Sequence, residues 1–141
     1  MILYAESSAV LAWLLDEDAG AEIRALLADA SVIVASDLTL IESDRVLLRA
    51  AALRELSEGD AAGLRAHLVK TAAQWHVLRV SSEVVTRARR PFPSEPLRTL
   101  DAIHLATALT ARAVLPGLEM LTMDDRVRRA AASVGLRVRP V

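Results

Sequence analysis

Val32-Ile33-Val34-Ala35 is an unbroken apolar run, mostly β-branched, and Ser36-Asp37 closes it just before a helix-period stretch opens at Leu38. A strand with no polar alternation is buried on both faces, as in a parallel sheet covered by helices. The same switch recurs on either side of it. Leu3 to Ala5 reads as a strand and leads into a helix from Ser7 to Leu15 with apolar positions at Ala9, Leu11, Trp13 and Leu14; His76 to Val80 leads into a short helix opened by Ser81. Glu119 to Thr122 leads into a helix from Asp124 to Val134, and a last strand lies near Val138. Between these, Asp18 is placed to cap a helix running to about Ala30, and Ser36 or Asp37 to cap one running through Arg54. Ser57, with Asp60 three positions on, opens a helix from Glu58 to Gln74, and a helix from Leu100 to Val114 follows the proline-rich loop 91–96. Strands alternating with helices predict an α/β fold whose right-handed crossovers build one parallel sheet.

With 141 residues and 53% hydrophobic content, the chain has the makings of one compact domain spanning 1–141. The absence of cysteine excludes disulfides, thiolate metal sites and cysteine nucleophiles. The longest uncharged stretch, Ala102 to Ala111, is too short to span a bilayer, and Glu6 comes too early for a secretory leader. A soluble cytoplasmic protein is expected. Net charge is −1 but uneven: residues 1–86 balance at −6 and residues 87–141 at +5. All basic residues but Lys70 are arginine, the side chain best shaped for bidentate phosphate contact. One cluster is Arg87, Arg89, Arg90 and Arg98; the other is Arg126, Arg128, Arg129, Arg137 and Arg139. Solvated helix faces and nucleic-acid contacts are both open readings of these clusters.

Four carboxylates stand where such a sheet would gather them. Glu6 and Asp124 follow strand-like runs, and Glu42 and Asp101 lie in the first turns of their helices. Ligand sites in open parallel sheets form beyond the carboxyl ends of the strands. Acids beside apolar segments need a positive partner, and a hard divalent cation is the usual one. Each residue alone has a plainer reading: Glu42 and Asp101 as first-turn helix acids, Asp124 as a helix cap, His104 as a packed or hydrogen-bonded neighbour. Only the joint pattern points to a metal site.

The motifs that carry these acids resemble those of PIN-domain ribonucleases over essentially the whole chain. Ile2-Leu3-Tyr4-Ala5-Glu6-Ser7-Ser8-Ala9 resembles the first motif and Leu38-Thr39-Leu40-Ile41-Glu42 the second; Leu100-Asp101-Ala102-Ile103-His104-Leu105-Ala106-Thr107-Ala108 is similar to the third. Leu121-Thr122-Met123-Asp124, with Arg128-Arg129-Ala130-Ala131 and Gly135-Leu136 behind it, matches the fourth. Size, order and spacing resemble the VapC toxins of bacterial toxin–antitoxin pairs. The resemblance implies a single PIN-like domain with a central parallel sheet of about five strands flanked by helices, and Mg²⁺- or Mn²⁺-dependent endonucleolytic cleavage of RNA. It implies that Glu6, Asp101 and Asp124 hold the metal, that Glu42 holds it or orients the attacking water, and that Ser8 and Thr122 support them. Asp125 competes with Asp124 for its role. Arg87, Arg89, Arg90, Arg98, Arg126, Arg128 and Arg129 are the candidate RNA contacts. A VapB-like antitoxin and a homodimer are the implied partners.

The chain departs from the family pattern at Glu6, where the first motif has Asp. Glu keeps the charge but moves it by one methylene, on the order of 1.5 Å, so an attenuated module that binds RNA or protein without efficient cleavage is the alternative. Other α/β chemistries lack their residues: no late-sheet lysine for a receiver domain, no Asp two residues after the first acid for an aspartyl-phosphate phosphatase, and no glycine-rich phosphate loop.

Overall fold

The computed structural model describes all residues, 1–141. Five strands form one all-parallel sheet: β1 (Ile2–Ala5), β2 (Val32–Ser36), β3 (His76–Leu78), β4 (Leu118–Leu121) and β5 (Arg137–Arg139). Their order across the sheet is β3-β2-β1-β4-β5. The strand expectations hold, with β3 ending at Leu78 rather than Val80. Seven helices cover the sheet: α1 (Ser7–Leu14), α2 (Gly20–Asp29), α3 (Asp37–Ala52), α4 (Glu58–Ala72), α5 (Ser82–Ala88), α6 (Thr99–Val114) and α7 (Asp125–Ser133).

The pleat sorts side chains between two cores. Leu3, Ala5, Ala35 and Leu121 join Val10, Trp13, Ile23, Leu47 and Leu68 on one face, so α1 to α4 lie there. Tyr4, Val34 and Met120 join Val84, Leu105, Ala108 and Val127 on the other, beneath α5 to α7. The β-branched run that predicts a two-sided strand is two-sided in fact: Val34 serves one core and Ala35 the other.

Helix starts follow the expected caps with one exception. Ser36 caps α3 and shares a capping box with Thr39, Ser57 accepts from the Asp60 amide, and Ser81 from the Val84 amide. Asp18 does not cap α2. That helix begins at Gly20 with Ala19 at its cap position and no side-chain cap. A Cβ on Gly20 would lie 2.8 Å from the Ala12 carbonyl oxygen, so the close crossing of α2 on α1 decides where the helix begins. Arg54 and Gln74 fall outside their helices, which stop at Ala52 and Ala72; Arg54 has turned left-handed, with φ of 58°. No helix is long and apolar enough to cross a membrane.

Much of the C-terminal arginine charge is spent on the fold. Glu119 is 5% exposed in β4 and accepts from Arg139 Nε at 2.6 Å, with Arg137 at 3.2 Å. Arg128 donates to the Pro140 and Thr122 carbonyls, and Arg87 stacks on the Phe92 ring at 4.0 Å. Arg139→Ala is expected to cost about 2 kcal/mol in urea unfolding, because it leaves a buried carboxylate with only the exposed Arg137 as partner.

Candidate metal centre

The strand order makes one crevice. After β1 the chain turns to one face through α1, and after β4 to the opposite face through α7, so the carboxyl ends of these adjacent strands are the topological switch point. Glu6 and Asp124 are the residues that leave those two strands. Ala5 pairs with Leu121, and the Glu6 amide continues the ladder to the Leu121 carbonyl at 3.0 Å. Helix α3 leaves neighbouring β2 with Glu42 in its second turn, and α6 brings Asp101 and His104 on successive turns of one face.

Glu6 is buried and is the N-cap of α1. Its Oε2 accepts from the Ser8 amide at 3.1 Å, from the Ser8 hydroxyl, and from the Thr122 hydroxyl at 2.8 Å; Oε1 accepts from Ser7 at 2.7 Å. Ser8 Oγ in turn accepts from the Met123 amide at 2.8 Å and the Asp124 amide at 3.2 Å. Ser8 and Thr122 therefore bridge the Glu6 carboxylate and the β4–α7 turn.

Glu42 is half-buried and held from below. His104 is 1% exposed, with Nε2 2.5 Å from Glu42 Oε1 and Nδ1 2.8 Å from the Tyr4 hydroxyl. Burial pushes the Tyr4 phenol far above its ordinary value, with the Glu6 charge adding to the effect, so it keeps its proton. An ionised carboxylate only accepts, so Nε2 carries the proton that it donates to Glu42. Glu6, Glu42 and His104 lie within 4.8 Å of one another. Both ring nitrogens of His104 already have partners, which leaves the carboxylates as the oxygen donors of the cluster. Tyr4 and Ser7 were not legible as participants; Ser7 Oγ lies 3.2 Å from Glu42 as well as bonding Glu6.

Asp101 is the acid left without an answer. Its Oδ2 is buried and has no hydrogen-bond partner. Burial holds the Asp101 carboxyl above the ordinary aspartate range; the Asp124 and Glu6 charges push it further up, and Arg126 and His104 oppose them. Asp124 caps α7, its Oδ1 accepting from the Arg126 and Val127 amides. Cap and site member are thus compatible roles for it. Asp125 is exposed in the first turn of α7. An orphaned carboxylate oxygen among like charges and hard oxygen donors is what a divalent cation answers, so the residues present fit such an ion.

The raised Asp101 carboxyl sets a pH dependence. A group that binds its proton more tightly in the folded state stabilises below its unfolded pKa, and this contribution fades as pH rises through the folded value. Metal-free protein is therefore expected to lose this increment as pH climbs from the ordinary aspartate value of 3.8. The difference in Tm between wild type and Asp101→Asn, followed against pH, isolates it.

The description of the PIN domain family matches residues 3–133. The chain belongs to the PIN domain family. Ribonuclease VapC46 of Mycobacterium tuberculosis is 36% identical to this PIN domain over 136 residues, covering 96% of this chain and 95% of that protein. Ribonuclease VapC35 of the same organism is 44% identical over 55 residues, 39% of this chain and 41% of the relative's length. Among solved structures, M. tuberculosis VapC20, a sarcin-ricin loop cleaving toxin, aligns with a TM-score of 0.67 at 16% identity over 99% of this chain and all of its own. VapBC2 of Rickettsia felis, solved bound to a DNA fragment from its promoter, aligns at 0.65 and 14% identity, covering 99% of this chain and 98% of that one. These two likenesses show the fold of this PIN domain: one α/β domain built on a single parallel sheet.

Proposed function

We propose that this PIN domain is a metal-dependent endoribonuclease, the toxin of a VapBC-type pair, with Mg²⁺ or Mn²⁺ as its ion. The observation that carries the reading is the buried, partnerless Asp101 Oδ2 beside Asp124 and Glu6 at the switch point. Asp101, Asp124 and Glu42 are the residues to hold the ion, with the charge of Glu6, whose oxygens already meet protein donors, beside them. When bound, a divalent cation supplies positive charge against the phosphodiester and makes the attacking water more acidic. The chain's own part is orientation. His104 holds Glu42 Oε1, leaving Oε2 to align the water and take its proton. Arg126, close enough to lower the Asp101 pKa, and exposed Arg98, Arg129, Arg89 and Arg90 are the arginines free to meet RNA phosphates.

The partner reading rests on two features. VapC46 and VapC35 share sequence with this chain, and the R. felis relative was solved as a VapBC assembly. The outer face of α3 also exposes Ile41, Val46 and Leu48 beside Arg45 and Arg49, an amphipathic surface of the kind a VapB-like helix covers. A homodimer of the toxin belongs to the same proposal.

The second reading, a module that binds without efficient cleavage, draws on Glu6, whose oxygens already have protein donors. The test is cleavage of a mixed small-RNA pool by antitoxin-free protein with Mg²⁺, Mn²⁺ or chelator. Discrete cuts that need metal and vanish in Asp101→Asn support the nuclease. RNA retention without cuts under any metal supports the binding module.

A further inference from the structure

Glu6 and Asp101 are opposites in hydrogen bonding, and the difference divides their labour. An ionised carboxylate offers roughly four acceptor positions. Glu6 receives four donors: the Ser7, Ser8 and Thr122 hydroxyls and the Ser8 amide. Each hydroxyl has one proton to give. Ser8 and Thr122 need their lone pairs for the Met123 and Asp124 amides, so both protons point at Glu6. The bonds run between the β1–α1 turn and the β4–α7 turn, which are more than a hundred residues apart in the chain. Asp101 Oδ2, by contrast, has no partner at all.

Resting on the nuclease reading above, we propose that Glu6 is chiefly the latch that closes these two turns on one another, and that divalent-ion affinity depends chiefly on Asp101. The carboxylate folds back over its own helix start to take the Ser8 amide and at the same time reaches Thr122 across the sheet. One lone pair on Oε1 remains, so Glu6 contributes field and at most one weak contact. Removing it should loosen the fold more than it loosens the ion.

The test measures metal-free Tm and Mn²⁺ affinity, by calorimetry on the full chain, in wild type, Glu6→Gln, Ser8→Ala and Asp101→Asn. Gln carries an NH₂ where Glu6 offers an acceptor, so at least one donor is left facing a donor. Glu6→Gln and Ser8→Ala are expected to lower Tm by roughly 5 °C or more, with Mn²⁺ Kd within about threefold of wild type. Asp101→Asn is expected to weaken Mn²⁺ by at least about tenfold with no loss of Tm. Unchanged Tm in Glu6→Gln overturns the latch, and so does a tenfold loss of Mn²⁺ affinity there matching that of Asp101→Asn. If Glu6→Gln does not fold, Ser8→Ala decides, since it keeps all four carboxylates: a normal Tm overturns the proposal. If wild type itself fails to bind Mn²⁺, the assignment of ion affinity to Asp101 falls with the nuclease reading, while the Tm order still judges the latch.

Discussion

Asp101→Asn is expected to reduce metal-dependent RNA cleavage by about 10²-fold or more while leaving the metal-free fold at least as stable as wild type. The two effects come from one cause. In the metal-free fold the Asp101 carboxylate is half-buried, has an oxygen with no donor, and faces the charges of Asp124 and Glu6. A neutral amide removes that repulsion and brings an N–H₂ to carboxylates able to accept it. The same amide removes the charge that an ion needs most, because its neighbours are partly spent: Asp124 Oδ1 on the α7 cap, Glu42 Oε1 on His104. A stability–activity trade of this form is common where like charges are gathered for function. Urea unfolding beside gel-resolved cleavage measures both. An Asp101→Asn protein that is less stable and fully active would remove Asp101 from the site.

His104→Ala is expected to destabilise the fold by about 2–4 kcal/mol and to lower kcat about tenfold with little change in KM. The ring is among the largest fully buried side chains, so its loss opens a cavity under α6. It also strands the Tyr4 hydroxyl, which burial keeps from ionising and which has the imidazole as its hydrogen-bonding neighbour. Tyr4→Phe separates the contributions. It keeps the volume, frees Nδ1 to accept a proton or flip, and is expected to lose only about 1 kcal/mol. If cleavage by Tyr4→Phe falls with KM unchanged, the imidazole acts by aiming Glu42; if only stability falls, its role is confined to packing. A ¹⁵N spectrum of the imidazole reads directly which ring nitrogens carry protons.

The fold was legible because the central strands β1 and β2 are short, largely apolar runs, and helix caps such as Ser36, Ser57 and Ser81 announce themselves in the sequence. What escaped was tertiary. Asp18 has the right chemistry for a cap, but the crossing of α2 on α1 at Gly20 outweighs it. At the site, the acids could be placed at strand ends and helix starts, since spacing alone does that. Their hydrogen-bond state could not be read. Nothing in Glu6-Ser7-Ser8 says that Thr122 will reach across to it, and nothing in Tyr4 says that its hydroxyl meets a histidine one hundred positions on. Arginine was the least readable residue: Arg128 and Arg139 look like phosphate ligands in sequence and are braces in the fold, tied to carbonyls and to Glu119.

The position of β1 has a consequence for synthesis. Of the five strands, β1 comes first in the chain and lies in the middle of the sheet, and its neighbour β4 comes fourth. A chain still emerging from the ribosome can pair β1 with β2 and bury much of the first core, yet Glu6 then lacks Thr122, Ser8 lacks the turn it holds, and Asp124 has not arrived. The pocket of acids is therefore assembled late: it stays open until the β4–α7 turn has been made and has docked beside β1.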